Sequence, residues 1–188
     1  MSDVIETAVA DILRAIGEDG SREGLARTPA RVAKALSFWT QGYQQDPAAL
    51  LTTFQDNVGD CNEMITVVDI PVYSLCEHHL APFFGHAHVA YIPEKSVIGL
   101  SKIPRLVQIY MRRLQVQERL TNQIADALHK YLKPKGVAVT IQCRHMCMES
   151  RGIQVVGAST VTSALRGVFH EPAARSEFFN FVSRKVTL

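Results

Sequence analysis

Apolar residues recur at helical spacing at Val4, Ile5, Ala8, Ile12 and Ile16, which predicts a helix over residues 4–16. Gly17-Glu18-Asp19-Gly20 breaks that pattern. A second helix is expected from Thr28-Pro29, with Thr28 at the N-cap and Pro29 at the first helical position, turning Val32, Ala35, Leu36 and Trp39 toward a core. Residues 42–59 contain Pro47, lose periodicity and read as a connector. Residues 64–75 and 83–92 are rich in β-branched and aromatic side chains and predict two strands. In the second, Phe84, His86, His88 and Ala90 fall on one side, and Phe83, Gly85, Ala87, Val89 and Tyr91 on the other.

The helical period returns at Ile103, Leu106, Val107 and Tyr110, with Ser101 as the expected N-cap and Pro104 tolerated in the first turn. It slips around residues 113–118 and resumes at Leu120, Ile124, Leu128 and Leu132, and Pro134-Lys135-Gly136 ends the fourth helix. From Val137 the alternation is strict, with Val137, Val139, Ile141, Cys143, His145 and Cys147 on one face. Residues 153–169 predict a last strand, and residues 172–183, with Phe178, Phe179, Phe181 and Val182, a short amphipathic helix. The expected architecture is α+β: an N-terminal helical pair in a subdomain over residues 1–60, then an antiparallel ββααββ sheet with helices on one face and a C-terminal helix over 61–188. A small sheet leaves two open edges, which predicts a homo-oligomer.

Composition narrows the function classes. With 188 residues there is enough chain for a substantial core, and a net charge of +2 gives no global basic field for nucleic acid. No apolar run approaches the roughly 20 residues of a membrane helix, and residues 1–6 lack the apolar core of a secretory signal, so a cytoplasmic protein is expected. Four cysteines, three of them beside histidines or in an apolar row, do not read as a disulfide framework.

They read instead as metal chemistry. Cys76 and His79 form a C-x-x-H pair, a spacing that aims a thiolate and an imidazole at one point and suits zinc. A second cluster, Cys143-Arg144-His145-Met146-Cys147, lies far downstream. On an extended strand Cys143 and Cys147 stand about 13 Å apart, too far for two thiolates that each sit about 2.3 Å from one zinc. Cys143 continues the apolar row and reads as core, while Cys147 lies at the strand end. The expected ligands are Cys76, His79 and Cys147. His78 or His145 supplies either a fourth ligand, closing a structural site, or proton transfer beside an open one, and the spacing by itself also leaves open a chain that holds no metal. On spacing alone Arg31 and Lys34 share an exposed helix face, and His86 and His88 a polar sheet face.

The runs Ser74-Leu75-Cys76-Glu77-His78-His79, Gly99-Leu100-Ser101-Lys102-Ile103-Pro104-Arg105, Gln117-Glu118-Arg119-Leu120-Thr121 and Cys147-Met148-Glu149-Ser150-Arg151-Gly152, with Arg27-Thr28-Pro29 and Arg31-Val32 upstream, strongly resemble GTP cyclohydrolase I from about residue 22 to the end. The resemblance implies a tunnelling fold (T-fold), a homodecamer of two stacked pentamers, and a zinc-dependent hydrolase that converts GTP and water to formate and 7,8-dihydroneopterin triphosphate, on the way to folate or tetrahydrobiopterin. It implies that His145 protonates guanine N7 and His78 serves later proton transfers. Glu118, with Gln117 beside it, binds the guanine. Ser101, Lys102, Arg105 and Arg151 hold the triphosphate, joined by Arg31 and Lys34 from a neighbouring subunit. It assigns nothing to His86, His88, His129 or His170. Two rivals stand beside this reading: another pterin enzyme of the same fold, which would want three histidines on the metal or a nucleophilic cysteine, and a zinc-stabilised oligomeric module that binds a purine or pterin without turnover.

Overall fold

The strict alternation from Val137 to Cys143 lies within a five-stranded sheet, where nearly every residue of the run is buried. The structure, a computed structural model, describes residues 2–51, 53–54 and 62–183, and it is α+β. It divides into two compact units, residues 1–41 and 42–188. The boundary expected at residues 60–61 falls outside the described residues.

The first unit consists of α1 (Ser2–Ala15) and α2 (Thr28–Trp39), packed on one another with Val9 and Ala33 buried. Thr28 is the first helical residue rather than the cap. The chain already runs in turns before it, with the Thr28 N–H donating to the Leu25 carbonyl at 2.8 Å, so no hydroxyl cap is needed and the Thr28 Oγ1 reaches back to Gly24.

A 3-10 turn over Gln41–Gln44 spans the boundary, and the second unit continues with α3 (Pro47–Leu50), where the Asp46 carboxylate caps the Ala48 N–H at 2.9 Å. A small antiparallel pair joins β1 (Thr53–Phe54) to β4 (Val97–Ile98). The main sheet contains β2 (Ile65–Cys76), β3 (Pro82–Ile92), β5 (Leu114–Gln115), β6 (Gly136–His145) and β7 (Thr160–Gly167), in the order β5-β2-β3-β6-β7. Its long neighbours are antiparallel, and the two-residue β5 adds a parallel edge to the end of β2. At Gly85 a Cβ would stand 1.9 Å from the Gln142 carbonyl oxygen, so β3 and β6 approach as closely as they do only because that position is glycine.

Between β4 and β6 run α4 (Lys102–Met111) and α5 (Gln117–Leu132). Leu120, Ile124 and Leu128 recur every four residues on one face of α5 and are fully buried, each contributing about 2 kcal/mol of burial. They pack with Ile103, Leu106 and Val107 of α4 against Val89, Tyr91, Val137, Val139 and Ile141 of the sheet. Lys133, in the left-handed region at φ 49°, ends α5 with its N–H on the His129 carbonyl, and Pro134 prevents continuation.

Not all helices lie on one face. Ala90 and Ala138 point to the other side of the pleat, and their small side chains leave room for Phe169 and for Phe178 of α7 (Pro172–Ser183), so the last helix covers the opposite face near the far end of β3 and β6. Among the described residues no helix is long and apolar enough to cross a membrane.

Candidate metal centre

Cys76 is the last residue of β2 and is buried. The turn that follows is closed on it: the Leu80 N–H donates to the Cys76 carbonyl at 2.8 Å, the His79 N–H to the same oxygen at 3.4 Å, and the Cys76 N–H to Ala81 at 2.8 Å. Leu80, at φ 53°, reverses the chain into β3. This turn brings the side chains of residues 76 and 79 together. It is tied to the start of α5, since the Glu77 N–H donates to the Gln115 carbonyl at 3.0 Å and the Glu77 carboxylate pairs with Arg119, whose Nε also donates to Gln115 Oε1 at 3.2 Å.

The downstream cluster is not one extended strand. β6 stops at His145, and residues 146–149 form one helical turn, α6 (Met146–Glu149), closed by the Ser150 N–H on the Met146 carbonyl at 2.9 Å. The alternation that seemed to carry Cys147 onto the strand is therefore interrupted two residues early. An ion pair the pattern does not reveal spans the break: Arg144 donates through Nε and Nη2 to the two carboxylate oxygens of buried Glu149, at 2.8 and 2.5 Å, and so ties residue 149 to the strand end. Arg144 holds the Glu149 carboxyl below the usual range, helped by the Gly157 N–H.

The two segments meet. One ligand atom each from Cys76, His79 and Cys147 lies within 4.8 Å of the others. Around a tetrahedral zinc, sulfur at about 2.3 Å and nitrogen at about 2.0 Å place donors roughly 3.5–3.8 Å apart, so a small contraction fits the ion. The donor chemistry agrees. Burial and the neighbouring Cys76 push the Cys147 thiol up, whereas a shared cation favours thiolates on both. Cys143 is outside the group: it is 1% exposed, and burial pushes its thiol up to about 12. His78 is exposed, with Nδ1 3.8 Å from the Cys76 sulfur, and neither it nor His145 joins the group of three.

His145 ends β6, two residues before Cys147. Its ring stacks on Phe83 of β3 at 4.7 Å and 8°, and burial lowers its pKa from the ordinary imidazole value while the Glu118 charge acts the other way. Glu118 is exposed in the first turn of α5. Gln117, expected beside it against a ligand, is 1% exposed, and its amide is bonded to β6, β7 and His145. Arg151 donates to His79 Nε2 at 2.9 Å, so it lies against the centre.

Ser101, Lys102 and Arg105 gather at the start of α4, with Ser101 and Arg105 exposed. Ser101 makes no side-chain cap. The Lys102 and Ile103 N–H groups donate instead to the carbonyls of Gly99 and Leu100, which leaves the hydroxyl unused for capping. Arg31 and Lys34 are exposed on α2, in the first unit. The sequence did not reveal the Arg144–Glu149 and Arg119–Glu77 pairs or the Phe83 stack. Only Phe83 carried a signal, through its place on the apolar side of the β3 alternation.

A sequence model described as GTP cyclohydrolase I matches residues 5–183. A protein of Nitrosospira multiformis named GTP cyclohydrolase 1 is 58% identical over 168 residues, covering 89% of this chain and 88% of its own. One of Campylobacter curvus with the same name is 52% identical over 184 residues, covering 97% and 96%. Among solved structures, a crystal structure of the archaeosine synthase QueF-Like aligns with 55% of this chain and 93% of its own at 19% identity and a TM-score of 0.45, too loose a likeness to bear on the argument.

Proposed function

Because this chain belongs to the GTP cyclohydrolase I family and is an enzyme of that kind, we propose that it uses zinc to hydrolyse GTP at C8, releasing formate and forming 7,8-dihydroneopterin triphosphate for pterin and folate synthesis in the cytoplasm. The observation that supports this reading is the convergence of Cys76, His79 and Cys147 from separate segments, with His145 two residues before Cys147 in the chain. Zinc held by these three side chains supplies a Lewis acid that makes water nucleophilic near neutral pH.

The remaining chemistry belongs to side chains. Purine C8 is a poor electrophile until N7 is protonated, and His145 is the proton source. His78, exposed next to the ligand turn, serves the later transfers as the ring opens and formate leaves. The Glu118 carboxylate accepts from N1–H and the exocyclic amine of guanine together, which selects guanine over adenine. The side chains of Ser101, Lys102 and Arg105 hold the triphosphate with Arg151, and Arg31 and Lys34 join them from a neighbouring subunit. That arrangement requires an assembly, and the homodecamer of two stacked pentamers, built from T-fold subunits with the ββααββ order after an N-terminal helical pair, supplies it. The catalytic domain takes residues 61–188.

The test is turnover of GTP by the purified full chain with and without a zinc chelator. Formate in equal amount to GTP consumed, abolished by chelator and restored by zinc, is the expected result. GTP binding without formate would leave only a nucleotide-binding module.

A further inference from the structure

We propose that Gln117 is a positioning residue that fixes the tautomer of His145 and so decides which ring nitrogen handles the proton; this rests on the reading of His145 as proton donor given above. The Gln117 side chain is 1% exposed, and one of its terminal atoms lies 2.9 Å from the Ile141 carbonyl oxygen and 2.9 Å from the Thr160 carbonyl oxygen. Carbonyl oxygens only accept, so that atom is the amide nitrogen. Its third neighbour, Thr162 Oγ1 at 3.1 Å, is consistent with this. The Thr121 hydroxyl donates to the Gln117 carbonyl at 2.7 Å, so its oxygen is left to accept the Thr162 hydroxyl, also at 2.7 Å, and the Thr162 lone pairs face Gln117. Every donor in the chain points the same way.

Gln117 Oε1 is therefore an acceptor, and it lies 2.7 Å from His145 Nε2. The opposite tautomer would set two lone pairs against each other at that distance inside the protein, at the cost of a buried unsatisfied acceptor. Neutral His145 thus carries its hydrogen on Nε2 and its lone pair on Nδ1. Protonated His145 keeps the Nε2–H on Gln117 and gives up the Nδ1 proton: the N–H bond breaks, its electron pair stays on Nδ1, and the new N–H bond forms on the substrate's N7 lone pair. The Phe83 stack holds the ring plane, so Nδ1 keeps one direction.

The direct test is a 15N spectrum of the zinc-loaded full chain carrying 15N-histidine, with His145→Asn used to assign the signal. A protonated-type shift at Nε2 and an unprotonated-type shift at Nδ1 are expected for neutral His145; the reverse pattern overturns the proposal. Gln117→Leu should then show both tautomers, with kcat reduced by about 100-fold or more and KM for GTP within about threefold. Unchanged kcat in that variant, or a loss confined to KM, also overturns it. If Gln117→Leu does not fold, the unmodified protein's spectrum still decides. Absence of formate production by that same unmodified protein would sink the functional reading and leave the tautomer result standing.

Discussion

Cys143 and Cys147 are the same side chain four residues apart, yet they sit in different chemistry. Cys143 lies where β6 is paired on both sides, opposite Gly85 of β3 and Thr160 of β7, and it points into the main core. Pairing with β7 ends at Cys143, and pairing with β3 ends at His145. Two residues later the chain is a helical turn and Cys147 is half-buried beside Cys76 and His79. Inside the sheet the register uses the backbone and the core uses the side chain, so nothing is left to bind a ligand. At the strand end both constraints lapse together, and side chains become available to a metal or substrate. The interior should therefore answer mutation in stability, and the end in metal content and turnover.

The largest expected effect is at the end. Cys147→Ala should lose stoichiometric zinc and drop formate production to background, measured by metal analysis and by GTP turnover. Cys143→Ala should keep its zinc and lose about 1–2 kcal/mol of stability, read as a lower unfolding midpoint. Zinc retained by Cys147→Ala, or lost by Cys143→Ala, would break the comparison at its root. The thiols themselves give a second contrast. With its pKa near 12, Cys143 is thiolate to about one part in ten thousand at pH 8, and it is buried besides. After zinc removal an alkylating reagent at that pH should modify Cys147 at least about 100-fold faster than Cys143, as peptide mass mapping would show.

Much of this contrast was legible in the sequence. Residues 137–143 announce a buried strand because a two-residue period needs only local residues to be seen, and the C-x-x-H pair announces a turn for the same reason. The place where β6 ends was not legible. Cys143, His145 and Cys147 keep the alternation going in the sequence, while in space the strand gives way to a helical turn that the Arg144–Glu149 pair spans. The duty of Gln117 was also hidden, since its partners Ile141, His145, Thr160 and Thr162 lie 24 to 45 residues away. Thr28 failed as a cap because the preceding turn had already satisfied the backbone donors, whereas Ser101 does stand at the N-cap of α4 but makes no side-chain capping bond for the same reason.

That hidden ion pair supplies a third, smaller test. If Arg144 and Glu149 place the turn bearing Cys147, Glu149→Gln should weaken zinc binding by about tenfold, the usual scale for groups that support a ligand from behind. Competition with a chromophoric chelator measures it. The unfolding midpoint should move little, because Glu149 lies past the paired part of β6 and Arg144 keeps its backbone place opposite Phe84. A large stability loss with unchanged zinc affinity would mean that the strand end belongs to the folding core after all.

The smallest effect is expected in the interior, at His88. It lies on β3 opposite Thr140 of β6, it is buried, and its Nδ1 accepts the Asp69 N–H at 3.1 Å, at a bulge in β2 where Asp69 takes φ 55°. Burial, with some help from His86, lowers the His88 pKa from its ordinary value, while Asp69 acts the other way. The unfolded chain therefore takes up this proton first as pH falls through about 6.5, the folded chain only at lower pH, and stability present above that range is lost on acidification. His88→Gln keeps an acceptor but does not titrate. It should change stability at pH 7.5 by about 1 kcal/mol or less, and flatten the fall in the unfolding midpoint between pH 7.5 and 5.5. Some slope should remain, since burial also lowers the pKa of His145. Zinc affinity should be unaltered, because the bulge lies at the opposite end of β2 from Cys76. A His88→Gln protein with the original pH slope would remove His88 from the account of the interior, and one with altered zinc affinity would show that interior and end are not separable.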